Sequence, residues 1–362
     1  AQFLPFLVLF LVSGSVADRF KRTHIMSICV ILQTICGTIF FVLTINGKIN
    51  FLTIFIILIF VGIARAFQSP AQSAIVPLLV PKEQVANAIA WTSSGFQMSR
   101  IAGPGIAGIM IISGEQLVYA TSIILFILST IFTLLIKTNT QTISKTPINL
   151  KNIFNGLEFV LKRQILVGAI GLDLFAVLLG GATALLPIFA TDILNVGSTG
   201  FGALRATHMI GALTGALILT QYPITRFAGK SLLLSVAAFG LAIITFGLST
   251  YFWLSIAALF VIGSADSISV FIRNNLVQII TPDHMRGRVS AVSAVFIGAS
   301  NELGELESGV TAHFWGTVPA VVVGGIGTII IAGLFAYKLP ELRDVNSLDP
   351  DDLIKKYQNL RP

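Results

Sequence analysis

Charge is the scarcest commodity in this chain. Of its 362 residues only 11% are Asp, Glu, Lys or Arg, while 55% are hydrophobic; a soluble domain carries roughly 25% charged residues. So little charge cannot clothe a water-facing surface, and a soluble globular domain is excluded. Cysteine is nearly absent as well. Cys29 and Cys36 stand seven positions apart in one apolar run, a spacing that suits neither a disulfide nor a metal motif, and they read as small core residues. The four histidines, His24, His208, His284 and His313, are scattered, so neither a metal nor another cofactor is expected. Gly229-Lys230-Ser231 lacks the glycine that a phosphate loop needs five residues earlier, where Ile224 stands. There is no Gly-x-Ser-x-Gly and no His-Glu-x-x-His. These absences speak against an ATP-driven pump and an intramembrane protease, and the chain is not expected to be an enzyme.

What the chain does have is apolar runs of about 20 residues without strand-like alternation, which select membrane-spanning helices over barrel strands. Spans are expected near 1–16, 23–44, 51–78, 85–113, 115–136, 165–190, 201–222, 231–250, 252–280, 289–313 and 315–337, eleven in all. A net charge of +7 would point to nucleic acid in a soluble protein. Here the basic residues instead fall in alternate loops: Arg19, Lys21 and Arg22; Lys82; Lys137 to Arg163; Arg226 and Lys230; Arg286 and Arg288; and the tail from Lys338. The opposite side carries only Lys48. That asymmetry marks the basic side as cytoplasmic and removes nucleic acid from the partners.

The chain also repeats. At an offset of 201 positions, Phe60-Val61-Gly62-Ile63-Ala64-Arg65 lies over Val261-Ile262-Gly263-Ser264-Ala265-Asp266. Pro81 lies over Pro282, and Gly103 and Gly108 lie over Gly304 and Gly309. Two six-helix halves of parallel topology are expected, the first short by one helix through truncation or a fragmentary gene. The expected organisation is an N-terminal bundle over 1–136, a cytoplasmic linker over 137–164, a C-terminal bundle over 165–337 and a cytoplasmic tail over 338–362. Within the linker Leu150, Ile153, Phe154, Leu157, Val160 and Leu161 recur at helical spacing, the pattern of an amphipathic interfacial helix. The tail is expected to be solvated and partly disordered.

A charge inside a span is expensive and by default marks function. Those present are Arg65, Arg100, Asp173, Arg205, Asp266, Arg273, Glu302, Glu305 and Glu307. Arg65 and Asp266, of opposite sign, occupy equivalent repeat positions. They could pair, hold an ionic substrate between them, or form a structural lock. Glu302 and Glu305 share a helix face, and three acids so placed could relay a proton or simply bond between helices, with Arg100 and Arg205 as partners. The glycines and serines around them suggest close helix packing.

Gly14-Ser15-Val16-Ala17-Asp18-Arg19-Phe20-Lys21-Arg22 resembles the signature loop between the second and third helices of the major facilitator superfamily. Thr225 to Lys230 echoes it in the second half. The resemblance implies an all-α membrane protein of the major facilitator fold, two six-helix halves related by a pseudo-two-fold axis. It also implies a cytoplasmic gate formed by Gly14, Asp18, Arg19 and Arg22, helped by Arg226. In that architecture the first, fourth, seventh and tenth helices line the cavity. Counting the missing helix as the first puts Arg65 on the fourth, Asp173 on the seventh, and Asp266 and Arg273 on the tenth. Arg100, Glu302 and Glu305 would support or relay. Ser99 to Gly108, with Gly103, Pro104 and Gly108, resembles the Gly-Pro motif of the fifth helix in proton-coupled drug exporters, where Pro104 would kink the helix. Asp173 to Ala176, Gly180 to Pro187, Leu204-Arg205-Ala206 and Pro282 to Ser290 are similar to the branch holding the enterobactin exporter and macrolide-efflux proteins.

The expected function is a secondary active transporter of the bacterial inner (plasma) membrane, exporting a drug or siderophore-like molecule by alternating access, coupled to protons. It would act as a monomer in the lipid bilayer, with both termini of the full-length protein cytoplasmic. The alternatives are a proton-coupled uptake carrier of the same fold and a non-transporting receptor or scaffold.

Overall fold

The computed structural model describes residues 20–81, 84–111, 113–137, 150–222, 224, 226–348 and 353, together with 2, 4–6, 8, 9, 13 and 16. Within the helices the side chains of some residues, Arg100 and Pro104 among them, also lie outside the described set. The described residues are helical, with no strand among them, and the chain forms two compact units, Ala1–Asn149 and Leu150–Pro362.

The N-terminal unit contains α1 (Arg22–Ile45), α2 (Phe51–Leu79), α3 (Val85–Ile111) and α4 (Glu115–Leu134). α1, α2 and α4 are rich in Ile, Leu and Phe, as helices facing lipid must be. α1 ends at Asn46, and Gly47 follows at φ 61°, the left-handed conformation that closes helices with glycine. α2 opens on a reciprocal cap. Asn50 Oδ1 accepts the Thr53 N–H at 2.9 Å, and Thr53 Oγ1 accepts the Asn50 N–H at 3.2 Å. α1 packs against α2 and α4.

The C-terminal unit contains α5 (Leu150–Leu161), α6 (Gln164–Leu179), α7 (Gly197–Gln221), α8 (Ala228–Leu248), α9 (Phe252–Ile280), α10 (Asp283–Trp315), α11 (Thr317–Lys338) and α12 (Pro340–Arg343). Its core has two centres. One gathers Leu166, Leu172, Leu232, Ile272 and Leu276; the other is built on Phe189 and Phe246, whose rings stand 4.5 Å apart. α7 and α9 meet backbone to backbone. The Phe260 carbonyl abuts Gly211, the Ser264 backbone abuts Gly215 and the His208 carbonyl abuts Gly263, while Ser264 Oγ donates to the Gly211 carbonyl at 2.9 Å. Small residues are what permit helices to close this tightly in lipid.

Three expectations change. The span expected over 165–190 is present as Gln164–Ile193, but it is not one regular α-helix. After Leu179 the chain passes Gly180-Gly181 into a 3-10 turn (Ala182–Leu185) and later a π turn (Phe189–Ile193). Gly180-Gly181 and Pro187 are poor helix formers, and α10 seats against the irregular stretch, where a Cβ on Gly181 would stand 2.5 Å from Ser308 Oγ and 2.6 Å from the Gly304 carbonyl. The tail is not wholly solvated. Leu342 and Val345 are buried, and the Val345 carbonyl accepts the Gly229 N–H at 2.9 Å, tying the segment after α11 to the start of α8. The count of eleven spans also differs. Among the described residues eight helices are long and apolar enough to cross a membrane. α3 and α10 exist as helices of 27 and 33 residues, but their Ser, Gln, Arg and Glu content lowers their apolarity, and most of 1–16 lies outside the described residues.

Candidate transport site

The N-terminal unit holds a cavity of about 1150 Å³. Its walls follow from helical periodicity. α1 contributes Gln33, Cys36, Gly37 and Phe40, and α2 contributes Arg65, Gln68, Ser69 and Gln72. Both sets read i, i+3, i+4, i+7, a single helix stripe. α4 adds Tyr119, Ser122 and Phe126, and α3 adds Thr92 and Phe96. Two otherwise lipid-compatible helices thus turn a polar stripe toward each other.

Within that cavity Gln33 Nε2 donates to Gln68 Oε1 at 2.7 Å, bridging α1 and α2. Arg65 is exposed, and its Nη1 donates to Gln2 Oε1 at 3.1 Å. Phe40 and Tyr119 stack with centroids 5.8 Å apart and planes 9° from parallel. Arg65 was legible in the sequence as a charge within a span. The glutamines and the aromatic stack were not; the signal that could have found them is the polar stripe in an apolar helix.

In the C-terminal unit the structure brings together two residues expected singly. Arg273 Nη1 on α9 pairs with Asp173 Oδ1 on α6, with 3% and 8% of the side chains exposed. The sequence suggested a cavity-facing setting for both; both side chains are buried, and each neutralises the other. Asp266, also on α9, is half-buried. On α10, Glu302 is half-buried and Glu305 exposed, and Arg205 of α7 lies near enough to act on Glu305 electrostatically, as does Glu302. Glu307 turns elsewhere and accepts from Thr311 Oγ1 one turn on, at 2.7 Å.

The loop residues Gly14, Asp18 and Arg19 lie outside the described residues, as does the side chain of Arg100. Arg22 is buried at the first turn of α1, and Arg226 is exposed before α8, followed by Phe227 in the left-handed region at φ 58°. α3 runs as unbroken helix through Gly103, Pro104 and Gly108. Among the described residues nothing lies within 4 Å of where a Cβ on Gly103 would stand, whereas one on Gly304 would meet the Val177 carbonyl.

A family model described as transmembrane secretion effector, one of the major facilitator models, matches residues 1–358. The chain belongs to this family. It is 25% identical over 347 residues to the enterobactin exporter EntS of Escherichia coli O9:H4 (strain HS), covering 94% of this chain and 82% of that protein. The EntS of Citrobacter koseri is 26% identical over 342 residues, covering 92% and 80%. Among solved structures, a bacterial homologue of the human lysosomal transporter Spinster, inward-facing and occupied, superposes with a TM-score of 0.70 at 16% identity, covering 94% of this chain and 88% of that one. The nucleoside transporter NupG gives 0.67 at 15% identity, covering 91% and 86%. These likenesses place the chain among major facilitator transporters, integral to a membrane and not enzymes. At such identities the solved structures speak for the fold alone.

Proposed function

We propose that this protein carries a small organic molecule, drug or siderophore-like, out of the cell across the bacterial inner membrane by alternating access, driven by protons. The observation that carries the reading is the polar cavity around Arg65, Gln68 and Gln72 inside a unit of membrane-length helices. A polar stripe so placed has no structural necessity in lipid and reads as a solute path. The outward direction draws support from relatives that are exporters. Proton coupling draws support from acids within the helices, Asp266 on α9 and Glu302 and Glu305 on α10, where a carboxyl can load and release a proton as its surroundings change.

In this reading the two units are repeats. α2 and α9 are both 29 residues long, and they begin at Phe51 and Phe252, the repeat offset of 201 (252 − 51). Gly62 and Gly263 share that offset, and each abuts a backbone carbonyl, that of Gln2 and that of His208. Asp18, Arg19 and Arg22, with Gly14 and Arg226, gate the cytoplasmic side. Arg65 meets substrate, Asp266 couples, and the Asp173–Arg273 pair holds α6 to α9.

The test is direction. Everted membrane vesicles carrying the protein, given an inward-acidic proton gradient, accumulate a labelled substrate from a panel of siderophores, macrolides and dyes. Accumulation in right-side-out vesicles only would make it an uptake carrier.

A further inference from the structure

We propose that the cavity of the N-terminal unit takes an organic anion that carries an aromatic ring. The inference rests on the transport reading and names its substrate class.

The charge argument comes first. Among the described lining residues Arg65 is the one ionised side chain, and none of them is a carboxylate. Its Nη1 contact goes to the neutral amide of Gln2. A guanidinium has five N–H donors in a rigid fork, so one amide acceptor leaves most of that fork directed at whatever fills the cavity. With no carboxylate among the described lining residues, its positive charge attracts an anion and repels a cation. The fork matches a carboxylate in bidentate fashion, two parallel charge-assisted bonds that a point cation does not provide.

The ring argument is independent. Phe40 from α1 and Tyr119 from α4 present a stacked pair on the cavity wall, with Phe96 and Phe126 also lining it. Aromatic rings prefer offset or edge contacts with other rings, which contribute beyond their buried area. A hydrogen bond joins Gln33 to Gln68, and we count the pair as wall rather than ligand contacts. Gln72 also lines the cavity and can meet a hydroxyl or carbonyl group. At about 1150 Å³ the cavity stands at the upper end of small-molecule sites, so the ligand is larger than a single ring.

The test is equilibrium binding to the full chain in lipid nanodiscs, measured over empty discs. Three labelled probes are used: 2-naphthoate, its fully saturated carboxylate analogue, and 2-naphthylmethylammonium. Naphthoate binds, the saturated acid binds more weakly, and the cation does not bind. Arg65→Gln weakens naphthoate binding by about tenfold or more, as expected for a lost charge-assisted contact. Arg65→Lys, which keeps the charge but not the fork, weakens it less, and it guards against a folding artefact. The proposal is overturned if the cation binds as well as the anion, if Arg65→Gln leaves naphthoate binding unchanged, or if folded protein binds no anion. The two readings fail separately. Vesicles that move a cation or neutral compound without binding the anion overturn this substrate class and leave transport standing. Anion binding without movement of any compound under any gradient keeps the site and overturns transport.

Discussion

The carboxylate of Asp173 and the guanidinium of Arg273 meet inside the C-terminal unit, on α6 and α9, with 8% and 3% of their side chains exposed. Among the described residues, each charge is met in its buried setting by the other. Such a pair contributes little over an apolar replacement, whereas removing one partner leaves a buried uncompensated charge.

The asymmetry is measurable. Arg273→Met and Asp173→Leu singly should each cost about 3–5 kcal/mol, read as a lowered melting temperature in detergent. The double variant should recover most of that loss. A double variant that loses the sum of the two would show that the residues act independently.

The amide bridge in the N-terminal unit follows the same logic at smaller scale. Gln33→Leu or Gln68→Leu strands a buried amide and should cost about 1–3 kcal/mol. The double Leu variant should melt closer to the parent. Because the bridge is wall rather than ligand contact, neither single change should reverse the anion-over-cation preference of the cavity.

Glycine replacements should divide by location. The His208 carbonyl abuts Gly263 and the Val177 carbonyl abuts Gly304, so Gly263→Val or Gly304→Val forces helices apart at a cost of about 1–3 kcal/mol or more. Gly309→Ala meets nothing within 4 Å among the described residues and should melt as the parent does, or slightly higher, because Ala favours helix. Melting curves of the three variants settle the point.

On α5, the hydrogen bond and charge of Lys162 hold the Glu158 carboxyl below its ordinary range. A depressed acid contributes stability that is present above its unfolded value and is lost as pH falls through the folded one. Glu158 is fully exposed, so water and salt screen the contribution. Glu158→Gln should leave the melting temperature unchanged at neutral pH in high salt. Any difference should appear at low salt and vanish on acidification.

How much of this was legible beforehand follows from what periodicity can carry. The span expected at 252–280 is α9, Phe252–Ile280, because Tyr251 and the Thr281-Pro282 step bound a predominantly apolar stretch. The expected start at 289 moved to Asp283, because Pro282 can precede a helix and Asp283 suits its positive end. A one-dimensional pattern also registered Arg65, Asp173 and Arg273 as costly charges. It could not show that the last two pair, since a contact between α6 and α9 exists only once the unit has packed. Nor could it show that α10 packs against Gly181 after Leu179. The stripe Gln33, Cys36, Gly37, Phe40 was present in the letters all along; its polarity is modest, and a hunt for formal charges passes over amides.

The central claim, transport coupled to protons, has one direct measurement. Proteoliposomes loaded with a pH-sensitive dye are offered substrates from the panel, with the parent protein compared with Asp266→Asn. The account predicts substrate-dependent proton movement in the parent and its loss in the variant. Folded parent protein that moves neither solute nor protons under any imposed gradient would contradict it.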